Sequence, residues 1–132
     1  MNSEADSNLE NANLYDLDKF KETVDQCGLN LVREIFSIFK TYGAEMVVIE
    51  GGVNSDYDKK PYRSLAHKLK STSALLGATQ LASLCQEVEN FKDEGDPQSA
   101  RFLSLYEQLK QSFTAAIIRI EALIRAQEAV AR

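Results

Sequence analysis

Apolar residues recur at spacings of three and four from about residue 15 to residue 125, and nowhere do they alternate with polar ones as a half-buried strand requires. Leu17, Phe20 and Val24 predict a short first helix, with Asp16 or Asp18 placed to cap it and Gly28 to end it. Leu31, Ile35, Ile38, Phe39, Tyr42 and Met46 make a broad stripe reaching about Ile49. Gly43 weakens that helix locally, and Gly51-Gly52 breaks it where GGVNSD reads as a loop. A third helix runs from about Asp58 to Leu76 on a stripe of Tyr62, Leu65, Leu69, Thr72 and Leu76, with Pro61 tolerable because it falls in the first turn. Gly77 marks a hairpin turn, and Leu81, Leu84, Cys85, Val88 and Phe91 carry a fourth helix beyond it.

EGDP, residues 94 to 97, is a turn whose proline suits the opening of a last helix. There Phe102, Leu105, Leu109, Phe113, Ile117, Ile120 and Ile124 share one face. Short connections between consecutive helices predict an all-α fold, an antiparallel up-down four-helix bundle with an additional short N-terminal helix. Residues 1 to about 14, rich in Asn, Ser and Glu, have no periodicity and read as a flexible tail, which leaves 15–132 as the bundle domain.

At 132 residues, 44% hydrophobic and 27% charged, the chain has the size and composition of one soluble domain with a single core. Every long apolar run is interrupted by Lys, Glu, Arg or Gln, so no segment is expected to span a bilayer. The acidic, polar start is unlike a secretory or mitochondrial leader, and a cytoplasmic monomer is the expectation. A net charge of −5 disfavours binding to nucleic acid, which depends on neutralising phosphates. Cys27 and Cys85 lie apart among apolar neighbours and read as reduced core thiols. One histidine and two isolated cysteines make no zinc pattern, so no metal is expected.

The chemistry centres on the single histidine. His67 is two residues from Leu65 and two from Leu69, which at about 100° per residue turns it away from the core. Its own face holds Lys60, Arg63, Ser64, Lys70, Ser71 and Ala74, a mixture of positive charge and small side chains. A chance exposed histidine on a solvated face is the plain alternative. Against it, residues 59 to 70 carry five basic side chains and no acidic one inside an acidic protein. Such a reversal suits a phosphoryl group and an acidic partner surface. His67 lies ten residues before Gly77 and Glu89 twelve after it, so in an antiparallel hairpin both stand about 15–18 Å from the turn. A carboxylate at that level could accept the imidazole Nδ1–H and leave Nε2 as a nucleophile.

The run AHKLKSTSALLGATQLASLCQEVE, residues 66 to 89, resembles the signature of histidine-containing phosphotransfer (HPt) domains, close to His-x-Leu-Lys-Gly-Ser-Ser, Gly-Ala, then Leu…Leu-Cys…Glu. The resemblance makes His67 the phosphoacceptor, Lys70 the phosphate-facing lysine, Gly77 the hairpin glycine and Glu89 the residue beside the imidazole. It departs from the family at Ser71, where members usually have glycine. Ser64, Ser71 and Ala74 would form a face that a partner's backbone approaches closely. The partners it implies are receiver domains of a hybrid sensor histidine kinase and of a response regulator, which would supply the Mg²⁺.

The expected reaction is reversible phosphoryl transfer between a receiver aspartate and His67, with Lys70, Arg63 and Lys60 offsetting charge. No cofactor is called for: Gly51-Gly52 is not followed by the Gly-Lys-Ser/Thr of a phosphate-binding loop, so the chain should be a phosphocarrier without kinase activity of its own. Two rivals are an adaptor that only docks receivers and an enzyme with a histidine base. Retention of His67, Lys70 and Glu89 together argues against the first, and the lack of a second catalytic group against the second. The start methionine and polar tail favour a free-standing module over a piece of a sensor kinase.

Overall fold

The computed structural model describes residues 15–51, 60–91 and 97–131. The expected tail at 1–14, the loop after Gly51 and residues 94–96 of the EGDP turn lie outside the described residues. Five helices follow in order: α1 (Leu17–Cys27), α2 (Leu29–Gly51), α3 (Lys60–Leu75), α4 (Thr79–Asn90) and α5 (Pro97–Ala131). No strand occurs among the described residues.

Local chemistry sets the helix ends. Asp16 is the cap of α1, its Oδ1 accepting the Lys19 amide proton at 2.9 Å. Gly28, at φ 87° and ψ 151°, takes a positive-φ conformation open to glycine and stops α1, so α2 begins one residue later. Pro61 is the second residue of α3 and Pro97 the first of α5, positions where a missing N–H costs nothing.

Cross-helix contacts fix the directions. Arg33 pairs with Glu128 and Glu50 with Lys110, so α2 and α5 are antiparallel. Phe91 against Phe102 and Gln80 against Ser112 make α4 and α5 antiparallel, as His67–Glu89 and Arg63–Phe91 do for α3 and α4. Helices α2 to α5 close a ring in which each packs on the next and α5 returns to α2. This is the up-down four-helix bundle expected, and α1 is the additional helix, lodged against α2 and α3. With 35 residues α5 is about 52 Å long, against about 18 Å for the 12 residues of α4, so its C-terminal half runs on beside the start of α2.

The α3–α4 turn is where α1 is fastened. The Asp16 amide donates to Gly77 O at 2.7 Å, and the buried Thr23 hydroxyl lies 2.7 Å from Leu75 O and 3.0 Å from Lys19 O. Gly77 sits at φ 79°, and a Cβ there would collide with the Asp16 carbonyl. The hairpin glycine is thus needed both for its own conformation and for the close approach of α1.

The core differs from the predicted stripe mainly on α2. Leu31 and Ile38 are 42% and 53% exposed, while Val32, Phe36, Phe39 and Met46 are buried. This helix is apolar around most of its circumference, so periodicity alone leaves the buried arc open. The arc is chosen by aromatic packing: Phe39 lies 6.2 Å from Phe36 and 4.9 Å from Phe113, centroid to centroid. A Cβ at Gly43 would come within 3.2 Å of the Phe113 ring, so the residue that weakens α2 also admits α5. On α5, Tyr106 and Ala116 join the core, and Leu105 and Ile117 are only partly buried. Cys85 is a core thiol as expected, but Cys27, in the last turn of α1, faces solvent.

Candidate functional site

His67 lies in the middle of α3, between buried Leu65–Ala66 on one side and buried Leu69 on the other. Edge-on aromatic contacts hold the rotation of this helix. Tyr62 stands 5.3 Å from Phe102 and 4.6 Å from Tyr106, and Phe102 in turn lies 5.3 Å from Phe91. With that stripe turned inward the imidazole must face out, and its side chain is 72% exposed.

One edge of the ring is nevertheless held. His67 Nδ1 lies 2.9 Å from Glu89 Oε2, and the other oxygen, Oε1, is 2.7 Å from Lys70 Nζ. Lys70 is also hydrogen-bonded to Gln86 Oε1 at 3.1 Å. Glu89 is only 18% exposed, and burial opposes its ionisation. Hydrogen bonds and charge from Lys70 and His67 outweigh burial and hold the carboxyl below the usual carboxylate range. An ionised carboxylate can only accept, so Nδ1 carries the proton and donates it to Oε2. In the neutral ring the lone pair then belongs to Nε2. The arrangement presents a nitrogen nucleophile to solvent, with a fixed negative charge behind it to stabilise positive charge on the ring.

The remaining candidates are more dispersed. Lys60, Ser64, Ser71 and Ala74 are exposed on α3, and the Ser71 hydroxyl donates within its own helix to Lys68 O at 3.3 Å. Arg63 reaches away from the histidine, and its Nη2 donates to Phe91 O at 2.6 Å, closing the C-terminus of α4. Lys68 pairs with Glu45 of α2 at 2.7 Å and lies 6.0 Å from the centre of the Tyr42 ring. The basic run is therefore partly neutralised where it stands, by Glu45 and Glu89.

Sequence reasoning brought His67, Lys70 and Glu89 together but missed Gln86. The available signal was its place one turn before Glu89 on the same helix. Cys85 lies below this group but takes no part. Burial pushes its thiol up to about 12, the Glu89 charge adds to that, and Lys70 only partly offsets it. It stays a neutral thiol.

Among the described residues no cluster of three or more His, Cys, Asp or Glu could hold a metal ion, and no helix is long and apolar enough to cross a membrane. A family model described as Hpt domain matches residues 17–128, all five helices with the site included. No curated protein and no solved structure matches the chain.

Proposed function

The chain belongs to the Hpt domain family, the histidine phosphotransfer modules of two-component phosphorelays, and from that premise we propose that His67 is its phosphoacceptor, charged and discharged by receiver domains. The observation that carries this reading is the single histidine, exposed on α3 with Nδ1 engaged by Glu89 and Nε2 left as the nucleophile.

In the proposed step the Nε2 lone pair attacks the phosphorus of a receiver's aspartyl phosphate. The N–P bond forms as the aspartyl O–P bond breaks, and that electron pair returns to the aspartate as carboxylate. The ring keeps its Nδ1 proton and becomes cationic, which Glu89 stabilises through the same hydrogen bond. A cationic imidazole is a good leaving group, so the arrangement that accepts the phosphoryl group also favours passing it to a second receiver. Transfer of this kind depends chiefly on in-line positioning and charge stabilisation. No nucleotide takes part on this chain, and Mg²⁺ is supplied by the acidic pocket of the receiver. The partners are receivers of a hybrid sensor kinase and of a response regulator, met in the cytoplasm. Ser64, Ser71 and Ala74 form the face on which a receiver's backbone closes.

The test is to incubate the protein with phosphorylated receivers and follow the label. It should move onto the wild type as an acid-labile phosphoramidate and be absent from His67→Gln, whose helicity by circular dichroism is unchanged. Label persisting on that variant, or stable in acid as a phosphoserine is, would overturn the assignment. A wild type that binds receivers but never takes label would leave only a docking role.

A further inference from the structure

Among the described residues two side-chain oxygens hold Lys70 Nζ, and they differ in kind. Glu89 Oε1, at 2.7 Å, is a charged acceptor tied through Oε2 to the imidazole. Gln86 Oε1, at 3.1 Å, is a neutral acceptor with no link to the histidine. Gln86 and Glu89 are three residues apart on α4, so both oxygens reach Nζ from one helix face. A lysine this exposed (31%) has the freedom to move, and a flexible four-carbon stem has many places to go.

Phosphorylation of Nε2 changes the charges around Nζ. The ring turns cationic and draws on Glu89, while a phosphoryl dianion is created beside the same cluster. The Lys70–Glu89 pair is then in competition with both. The Gln86 amide has no charge, so neither event weakens its hold on Nζ. A carboxylate in its place would bind Lys70 more strongly in the resting state and oppose its transfer to the phosphoryl group.

We infer that Gln86 is a positioning residue for phosphotransfer: its amide oxygen keeps Lys70 at the site while the lysine exchanges Glu89 for the phosphoryl group on His67. The inference rests on His67 as phosphoacceptor. Gln86 touches neither the imidazole nor the phosphoryl group and acts wholly through Lys70.

Gln86→Met keeps the length of the side chain and removes the acceptor, and the position is exposed, so the fold is not at stake. Loss of one hydrogen bond to a half-exposed ammonium should slow transfer from a phosphorylated receiver by about threefold. Lys70→Ala should slow it more, and adding Gln86→Met to Lys70→Ala should have no further effect. In nitrogen-15 spectra of the resting protein, Gln86→Met should shift and broaden the Lys70 ammonium signal while leaving the two His67 ring nitrogens unchanged. A Gln86 effect that persists in the Lys70→Ala background, or an unaltered Lys70 signal, overturns the inference. Labelling with a small phosphoramidate donor separates the two levels of the argument. A His67 that accepts phosphate from neither the donor nor receivers defeats the phosphoacceptor assignment itself, whereas normal labelling with additive Gln86 and Lys70 effects defeats the positioning role alone.

Discussion

At Glu89 burial and hydrogen bonding pull in opposite directions, and the outcome decides which nitrogen of His67 carries the proton in the neutral ring. Because Lys70 and His67 hold the carboxyl below its ordinary range, the folded state binds a proton there less readily than the unfolded chain does. The stabilisation is complete at neutral pH and fades as pH falls below the ordinary glutamate value of about 4.3 and through the lower folded one. Urea titrations of the wild type and Glu89→Gln should therefore show a stability difference at pH 7 that closes in acid. A gap that widens in acid would contradict the direction of the shift. In transfer assays Glu89→Gln should be mild, since its amide oxygen still accepts the Nδ1 proton. Glu89→Ala removes the acceptor, frees the ring to rotate and should cost about tenfold.

For the helices the sensitive joint is the one between α1 and the α3–α4 turn, because three features converge on it: the Asp16–Gly77 hydrogen bond, the Thr23 hydroxyl against Leu75 O, and Gly77 itself. Gly77→Ala combines a left-handed alanine with a steric clash against backbone that cannot swing aside, and should destabilise by at least about 2 kcal/mol. Thr23→Val leaves the Leu75 carbonyl without its hydroxyl partner and should cost about 1 kcal/mol. Urea denaturation measures both losses. Amide exchange should place the earliest opening in α1, since α2 to α5 make the ring without it. Exchange that opens α4 first would show that the ring yields before this joint.

On the scale of the molecule, an acidic protein of net charge −5 carries four basic side chains, Lys60, Arg63, Lys68 and Lys70, along α3. Among the described residues Lys68 and Lys70 are matched by Glu45 and Glu89, so the field around α3 is milder than the sequence count implies. Transfer should slow as salt rises toward about 0.5 M, since exposed charges are screened within about 10 Å at 0.1 M. Lys60→Ala should reduce the rate less than Lys70→Ala and lose its effect at high salt, while the shorter-range loss at Lys70 persists in part. Rates unchanged between low and high salt would remove steering from the account. Sedimentation should give a single species of 14.8 kDa, the monomer expected of one closed bundle.

Local patterns determined much of this protein. Asp16, Gly28, Pro61, Gly77 and Pro97 act within a few residues of themselves, so the helix ends were readable from the chain. The outward face of His67 followed from Leu65 and Leu69 on its own helix, and the level of Glu89 followed from counting equal lengths down a hairpin. Tertiary structure decided what periodicity leaves degenerate. It chose the buried arc of α2, because a helix apolar on most sides is oriented only by its neighbours, here Phe113 against Phe39 and Gly43. It turned Cys27 to solvent and Cys85 into the core, a difference that the rotation of each helix against its neighbours decides. It also assigned partners to the long charged side chains. Arg63 closes α4 at Phe91, Lys68 reaches Glu45 across to α2, and Lys70 settles between Glu89 and Gln86. A flexible side chain takes the nearest acceptor in space, and that acceptor exists only once the helices are side by side.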